Sequence, residues 1–164
     1  MWVIKFLWLG LIALSVSGCV PTMFWAGGKN ITEIIVMKEQ RRLYLMHKKT
    51  VLKTYKIDLG FNPRGHKAIE GDGKTPEGRY VINRYNPDSE FHLSLGISYP
   101  NNKDRARARA LGKSPGGDIF IHGQPNKPRR LTKDWTLGCI AVTNEQVEYM
   151  FAHVKPGTLV RIYP

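Results

Sequence analysis

Apolar and polar residues alternate in short runs from residue 31 onward, and this period of two is typical of half-buried β-strands. Polar or glycine- and proline-containing turns separate these runs. The segments that we predict as strands are 31–37, 42–47, 51–59, 78–84, 91–97, 118–121, 139–142 and 158–163. The close spacing of the first three favours an antiparallel meander over strand–helix–strand units.

Two segments have helical features instead. Lys103–Leu111 is rich in alanine and arginine without a β-branched residue, which predicts a short surface helix. Thr143 and Gln146 have the spacing of a capping box, with Thr143 as N-cap and Gln146 at the third helical position. Apolar residues then recur at helical spacing, which predicts a helix with one face in the core: Val147, Met150, Phe151 and Val154.

The N-terminus predicts export. Lys5 precedes an apolar run over 6–16, which is shorter than the ~20 residues that cross a bilayer. We therefore interpret 1–18 as a signal peptide. The sequence Val16-Ser17-Gly18-Cys19 resembles a bacterial lipobox, in which Cys19 would be acylated. A soluble export signal and an uncleaved anchor remain as alternatives.

These features divide the chain of 164 residues into the signal peptide, a lipid-anchored tether over 19–30 and one domain over 31–164. The expected location is the bacterial cell envelope, in the periplasm. Val20 follows Cys19 where an aspartate would be expected for retention in the inner membrane, which favours the outer membrane. The net charge of +12 favours an anionic partner. For an exported protein we expect that partner to be the anionic cell wall, with no nucleic acid involved.

The chain has two cysteines, Cys19 and Cys139. If Cys19 carries lipid, no disulfide can form, and Cys139 is a single thiol in an oxidising compartment. A thiol attacks as the thiolate and needs a neighbouring base. His122 follows the predicted strand 118–121, and adjacent strands would bring it beside Cys139. The alternative on spacing alone is a buried, unreactive Cys139 with an unrelated histidine.

Segment 60–80 contains glycines and prolines that predict tight turns. On the residues alone, His66, Lys67 and Asp72 are best interpreted as members of a solvated turn.

Two separated motifs resemble the YkuD-type L,D-transpeptidases. One is His122-Gly123 followed by Thr136-x-Gly138-Cys139, with Asn144 nearby. The other, Gly71-Asp72-Gly73-Lys74-Thr75-Pro76-x-Gly78-x-Tyr80, is similar to the "GD-x-x-TP-x-G-x-Y" turn of that family. The resemblance covers residues 31–164. It implies a mainly β fold, a sandwich or barrel-like domain with a few short helices.

The resemblance also implies the chemistry. Cys139 would be the nucleophile and His122 its base, with the Gly123 carbonyl orienting the imidazole. The N–H groups of Gly138 and Cys139 would form an oxyanion hole. The substrates would be peptidoglycan tetrapeptide stems, with no metal and no cofactor. We assign as candidate substrate contacts Thr136, Arg129, Arg130 and Tyr99.

Two residues depart from the family pattern, and they bear on which acceptor would resolve the thioester. Leu137 stands where many relatives have histidine, and Ala141 stands where many have an arginine. Arg129, Arg130 or Lys133 is a hypothetical replacement for that arginine. A hydrolase of the same fold and a non-catalytic cell-wall-binding lipoprotein therefore stay open. A sortase-like enzyme fits less well, and a zinc site would lack short ligand spacing in the set His66, His92, His122 and Cys139.

Overall fold

The computed structural model describes residues 30–127 and 130–164. The predicted signal peptide, Cys19 and all but the last residue of the predicted tether lie outside the described residues. Within the described ranges, neither helix has the length and apolar composition that a bilayer crossing requires.

Strands dominate the described part of the chain, as the alternating pattern predicts. They are β1 (Glu33–Met37), β2 (Arg42–His47), β3 (Thr50–Lys56), β4 (Gly78–Ser89), β5 (His92–Ile97), β6 (Phe120–His122), β7 (Ile140–Ala141) and β8 (Leu159–Tyr163). The helices are α1 (Asn102–Ala110) and α2 (Asn144–His153). The mainly β fold class is therefore confirmed.

The strands lie in the order β3-β2-β1-β8-β4-β5-β6-β7. The first three form the predicted antiparallel meander. The meander does not continue, because β8 inserts between β1 and β4, parallel to β1 and antiparallel to β4. Strand β4 links the two halves of the sheet. Its first residues pair with β8, and its later residues pair with β5 across two irregularities in register.

The two ends of this strand order meet, which gives the barrel-like closure. Just beyond β3, Asp58 exchanges two backbone hydrogen bonds with Ala141 of β7, at 3.0 and 2.9 Å. Gly60 then pairs with Thr136 in a parallel bridge. Closure satisfies backbone groups that an open sheet edge would leave unpaired. It also places segment 58–60 directly against the loop that leads to Cys139.

The helices have different surroundings. The predicted capping box of α2 is present, and Val147 and Met150 are buried against the sheet beside β5 and β6. A capping box of this kind stabilises a helix start by about 1 kcal/mol. Helix α1 is a surface helix as predicted, buried only at Asp104 and Ala108. Helix α2 thus fixes the segment that follows Cys139.

His66, Lys67 and Asp72 are not members of a solvated turn, which corrects the interpretation from the residues alone. The Asp72 carboxylate accepts hydrogen bonds from the N–H groups of Ala68, Ile69 and Lys74 and from the Lys67 ammonium. Burial alone would raise the pKa of Asp72, but these donors outweigh it and hold the pKa below its usual value. Lys67 is only 3% exposed. Sequence pattern could not show this, because the burial comes from packing against the rest of the fold.

His66 belongs to a second buried cluster in this segment. Its Nδ1 lies 2.9 Å from the carbonyl oxygen and 3.0 Å from the backbone nitrogen of Glu77, and its Nε2 lies 3.1 Å from Asp104 Oδ1. Tyr80 donates its hydroxyl hydrogen to Asp104 Oδ2 at 3.0 Å. The cluster ties the turn to helix α1 and holds its backbone against the sheet.

Candidate active site

Strands β6 and β7 bring the predicted base and nucleophile to one place. They pair in parallel, with Ile121 opposite Ile140 and His122 opposite Ala141. Immediately before β7, Cys139 Sγ accepts a hydrogen bond from the N–H of Phe120 at 3.4 Å. His122 and Cys139 line the same cleft, which has a volume of about 620 Å³. This volume is within the usual range for sites that bind small molecules or peptides.

The His122 ring is held in one orientation. Its Nδ1 lies 2.8 Å from the carbonyl oxygen of Gly123. A carbonyl only accepts, so Nδ1 carries the hydrogen, and in the neutral ring Nε2 keeps the lone pair of a base. Phe91 and Trp135 pack against the imidazole with ring centroids 4.5 and 5.5 Å away. These contacts restrict the ring and exclude water from much of its surface.

The Cys139 thiol is protonated in the resting site. It donates to the carbonyl of Asp118 at 3.4 Å and accepts from the Phe120 N–H. Part of Cys139 reaches the cleft, but the protein atoms packed round its sulfur desolvate it, and this burial raises the thiol pKa above its ordinary value. The negative charge of Asp118 adds to the rise, while the Phe120 N–H and the Lys67 charge reduce it. At neutral pH the thiol therefore keeps its proton.

A raised thiol pKa gives a measurable pH dependence. In a Cys19→Ser protein, alkylation of Cys139 by iodoacetamide should be slow near neutral pH. The rate should still be rising where an ordinary thiol, with a pKa of about 8.5, has already reached its plateau. Mass spectrometry at a series of pH values measures the rate, and the same protein unfolded in urea supplies the ordinary profile. A plateau below pH ~7 would mean a preformed thiolate–imidazolium pair and would contradict the neutral resting state.

The loop before Cys139 needs glycine at position 138. Gly138 has φ of +131°, and a Cβ there would lie 2.7 Å from the Lys74 carbonyl oxygen. Thr136 braces the same loop, because its hydroxyl donates to the Cys139 carbonyl at 2.7 Å and accepts from the Gly138 N–H at 3.1 Å. The Gly138 N–H is thus already used inside the loop. Of the two predicted oxyanion donors, this leaves the Cys139 N–H.

The comparisons with known proteins agree with this geometry. A sequence model of the YkuD family, described as an L,D-transpeptidase catalytic domain, matches residues 31–162. The chain belongs to the YkuD family. "Putative L,D-transpeptidase YafK" of Escherichia coli (strain K12) is 32% identical over 144 residues, which are 80% of this chain and 53% of that protein.

Solved structures resemble this YkuD domain as well. The helical cell shape determining protein Pgp2 of Campylobacter jejuni is 30% identical with a TM-score of 0.62, over 83% of this chain and 51% of that one. Bd1075 of Bdellovibrio bacteriovorus is 26% identical with a TM-score of 0.59, over 82% and 48%. The chain thus spans about half the length of the relatives that it matches. Mycobacterium tuberculosis L,D-transpeptidase 1, at 11% identity and a TM-score of 0.52, shares the fold.

Asp134 anchors the loop before Cys139 in the YkuD domain, and no sequence pattern indicates this role. Its carboxylate accepts from the Arg41 guanidinium at 2.8 and 2.9 Å and from the Leu59 N–H at 3.2 Å. Burial alone would raise the pKa of Asp134, but these donors lower it below its usual value. The contacts join the loop to the β1–β2 turn and to the chain beyond β3. Charge-assisted, forked pairs of this type are among the stronger side-chain interactions.

Asn144 acts on His122 through the peptide that links Gly123 and Gln124. The carbonyl of this peptide accepts from His122 Nδ1, and its N–H donates to Asn144 Oδ1 at 2.7 Å. A side chain at Gly123 would collide with Asn144, since its Cβ would lie 2.6 Å from Oδ1. Asn144 therefore fixes the plane of the peptide that orients the imidazole. The sequence motif includes Asn144 but does not reveal this contact.

Replacing Asn144 should weaken catalysis without removing it. In Asn144→Ala the peptide plane is no longer held, so kcat should fall by about 10- to 100-fold while KM changes little, as for other groups that orient a catalytic residue. Asn144→Asp keeps the acceptor oxygen and should recover most of kcat. Steady-state kinetics of both variants, with thermal unfolding as the control for stability, checks this. Equal losses in the two variants would show that the Asn144 acceptor oxygen is not what matters.

The predicted substrate contacts do not all line the cleft. Thr136 lines the cleft, although its hydroxyl is used within the loop. Among the described residues that line the cleft, neither Arg130 nor Tyr99 is present. Tyr99 is instead buried and donates to the Pro115 carbonyl at 2.9 Å. Arg129 lies outside the described residues.

The two departures from the family pattern have different environments. Leu137 is 79% exposed at the mouth of the cleft. Ala141 is buried at the seam of the barrel and faces away from the cleft, as does Lys133. Among the described residues, neither position therefore brings a cation to the cleft.

The four residues of the considered zinc site do not come together. His92 lies at the surface with its Nε2 2.6 Å from Glu148, and His66 is held by Asp104. In the described part of the chain, no group of three or more potential ligands has the arrangement of a metal site.

Proposed function

We propose that this domain is a cysteine L,D-transpeptidase that acts on peptidoglycan tetrapeptide stems through a thioester at Cys139. The observation that carries the proposal is the shared cleft of Cys139 and His122, in which the Gly123 carbonyl holds Nδ1 and leaves Nε2 as a base. Membership of the YkuD family supports the same reaction class.

The first half-reaction follows from a neutral thiol beside a neutral imidazole. Sγ of Cys139 attacks the carbonyl carbon between meso-diaminopimelate and the terminal D-alanine of the stem, and Nε2 of His122 takes the thiol proton. The Cys139 N–H donates to the oxygen that becomes negative. The C–N bond then breaks, the imidazolium gives its proton to the leaving amine, and a thioester remains on Cys139.

The second half-reaction returns the site to its starting state. The amine of a second stem attacks the thioester carbon and loses its proton to Nε2 of His122. The C–S bond breaks, and the imidazolium returns the proton to the sulfur. The same site would act as a hydrolase if water replaced the amine. The choice of acceptor depends on what the cleft admits beside Leu137, which is exposed at its mouth.

Incubation of the purified domain with disaccharide-tetrapeptide tests the reaction. Crosslinked dimers with release of D-alanine support the transpeptidase. Disaccharide-tripeptide without dimers means a carboxypeptidase, and an unchanged substrate together with retained wall binding means a non-catalytic cell-wall protein. Mass spectrometry of the products separates the three results.

We further propose that the enzyme works in the bacterial cell envelope. The sequence supports this with an export signal and Cys19 in a lipobox-like position. The name of Pgp2 as a cell shape determining protein supports a role in wall architecture. The expected partners are stem peptides and the anionic wall, and fractionation of wild-type and Cys19→Ser cells tests the lipid anchor.

A further inference from the structure

The cleft contains one cation among the described residues that line it, and that cation is Lys67. The ionisable acids on the same lining are Glu70 and Asp118. Asp118 is paired with Arg84 at 2.8 Å and lies at the surface. A cation inside a cleft that also holds the nucleophile meets whatever part of the substrate lies beside the reacting bond.

Lys67 is built into the fold rather than solvated. It is 3% exposed, and its ammonium donates to Asp72 Oδ1 at 2.9 Å and to the Ile69 carbonyl at 3.1 Å. An ammonium has three N–H donors, so within the described residues one donor has no protein partner. The position of the group is therefore fixed while part of its hydrogen-bonding capacity is unused.

The Asp72 carboxylate does not fully neutralise the Lys67 ammonium. Its carboxylate also accepts from three backbone N–H groups, as described above, so its negative charge is shared among four donors. The Lys67 charge extends to the reacting atom, since it lowers the pKa of the Cys139 thiol against the opposing effect of burial. An anionic group in the cleft would add the hydrogen-bond acceptor that Lys67 lacks.

We propose that Lys67 binds a carboxylate of the acyl donor and so determines which peptides enter the site. This inference rests on the proposed function, because it names a specificity residue of the same cleft. The tetrapeptide stem has two carboxylates near the bond that breaks, one on the terminal D-alanine and one on the side chain of meso-diaminopimelate. Both present the same chemistry to an ammonium, and the substrates of the experiment distinguish them.

The experiment compares three tetrapeptides with the wild-type domain: the native stem, its C-terminal amide, and a stem amidated on the diaminopimelate side chain. A charge-assisted hydrogen bond is lost with one of the amides, so kcat/KM should fall by about 10- to 100-fold for that substrate. The other amide should lose less than about 3-fold. If both amides react as well as the native stem, the cleft reads no carboxylate and the proposal is wrong.

Variants then show whether Lys67 is the group that binds this carboxylate. In Lys67→Met, kcat/KM for the native stem should fall by the same factor. This variant should then react equally well with the native stem and with the amide that wild type discriminates against. Lys67→Gln keeps donors for Ile69 and Asp72 without the charge, so it should give the same result with a better-preserved turn. Lys49→Met is the matched control, because Lys49 lies in the exposed β2–β3 turn, and it should behave as wild type.

A Lys67 variant that folds and still discriminates as wild type does would overturn the proposal, because the carboxylate would then be read elsewhere. This result differs from a failure of the proposed function, in which wild type would give no product from any of the three stems.

Discussion

Replacing Cys139 with alanine should abolish product formation from tetrapeptide stems. The thioester cannot form without the sulfur, and loss of a nucleophile that works with a paired base typically costs on the order of 10⁴-fold or more in kcat. The fold should persist, because within the described part of the chain the thiol makes two weak hydrogen bonds, both at 3.4 Å. Product analysis by mass spectrometry, together with the circular dichroism spectrum of the variant, measures both effects.

Cys139→Ser is the matched control for this experiment. The hydroxyl keeps a donor for the Asp118 carbonyl but is a far weaker nucleophile beside the same base. We expect a loss close to that of the alanine variant. Full activity in either folded variant would show that Cys139 is not the nucleophile.

The second large effect is expected at His122. In His122→Asn the amide nitrogen can still donate to the Gly123 carbonyl, but no base remains at the position of Nε2. We expect kcat/KM to fall by about 10²- to 10⁴-fold, the usual range for a general acid–base residue. The rate that remains should increase with pH, because hydroxide then has to remove the thiol proton. Steady-state kinetics across pH measures both the loss and the slope.

His47→Asn is the control for this substitution. Nδ1 of His47 also lies 2.8 Å from a backbone carbonyl, that of Asn30, and neither residue lines the cleft. This variant should retain wild-type kinetics. A His122→Asn enzyme with an unchanged pH profile would mean that another group removes the proton from Cys139.

Local pattern predicted the elements well, but it did not predict how they associate. Strand β2 has the predicted limits, and α2 begins with the predicted capping box. Strand β4 is longer than predicted, because Asn86, Pro87 and Asp88 have the composition of a turn but lie in the irregular part of a hairpin with β5. The place of β8 between β1 and β4 depends on pairing across most of the chain, and no local period encodes it.

The residues of the candidate site also divide into those that the sequence predicts and those that only the tertiary structure reveals. The cysteine, the histidine and the glycine that follows it could be found by residue type and order, because their chemistry requires these types. Asp134 could not, since its partners Arg41 and Leu59 are distant in the chain. Lys67 could not, since its burial arises only when the turn packs against the rest of the fold. Turns rich in glycine are usually exposed, so the sequence predicts a solvated Lys67. In the structure this turn packs against the loop before Cys139.

Two of the predicted site residues have surroundings that the sequence does not show. Tyr99 proved to be a buried residue outside the cleft, and the Gly138 N–H is taken up by Thr136. The first depends on a tertiary contact with Pro115, and the second on a side-chain hydrogen bond within the loop, and residue order specifies neither. Leu137 lies exposed at the mouth of the cleft, while Ala141 lies in the barrel seam.

The most direct test of the central claim is the intact mass of the protein after brief mixing with disaccharide-tetrapeptide and quenching in acid. We expect a new species heavier by the disaccharide-tripeptide acyl group, located at Cys139 by peptide mapping and absent from Cys139→Ala. An acyl group on another residue, or turnover of the stem with no adduct in wild type and undiminished turnover in the alanine variant, would contradict a thioester mechanism at Cys139.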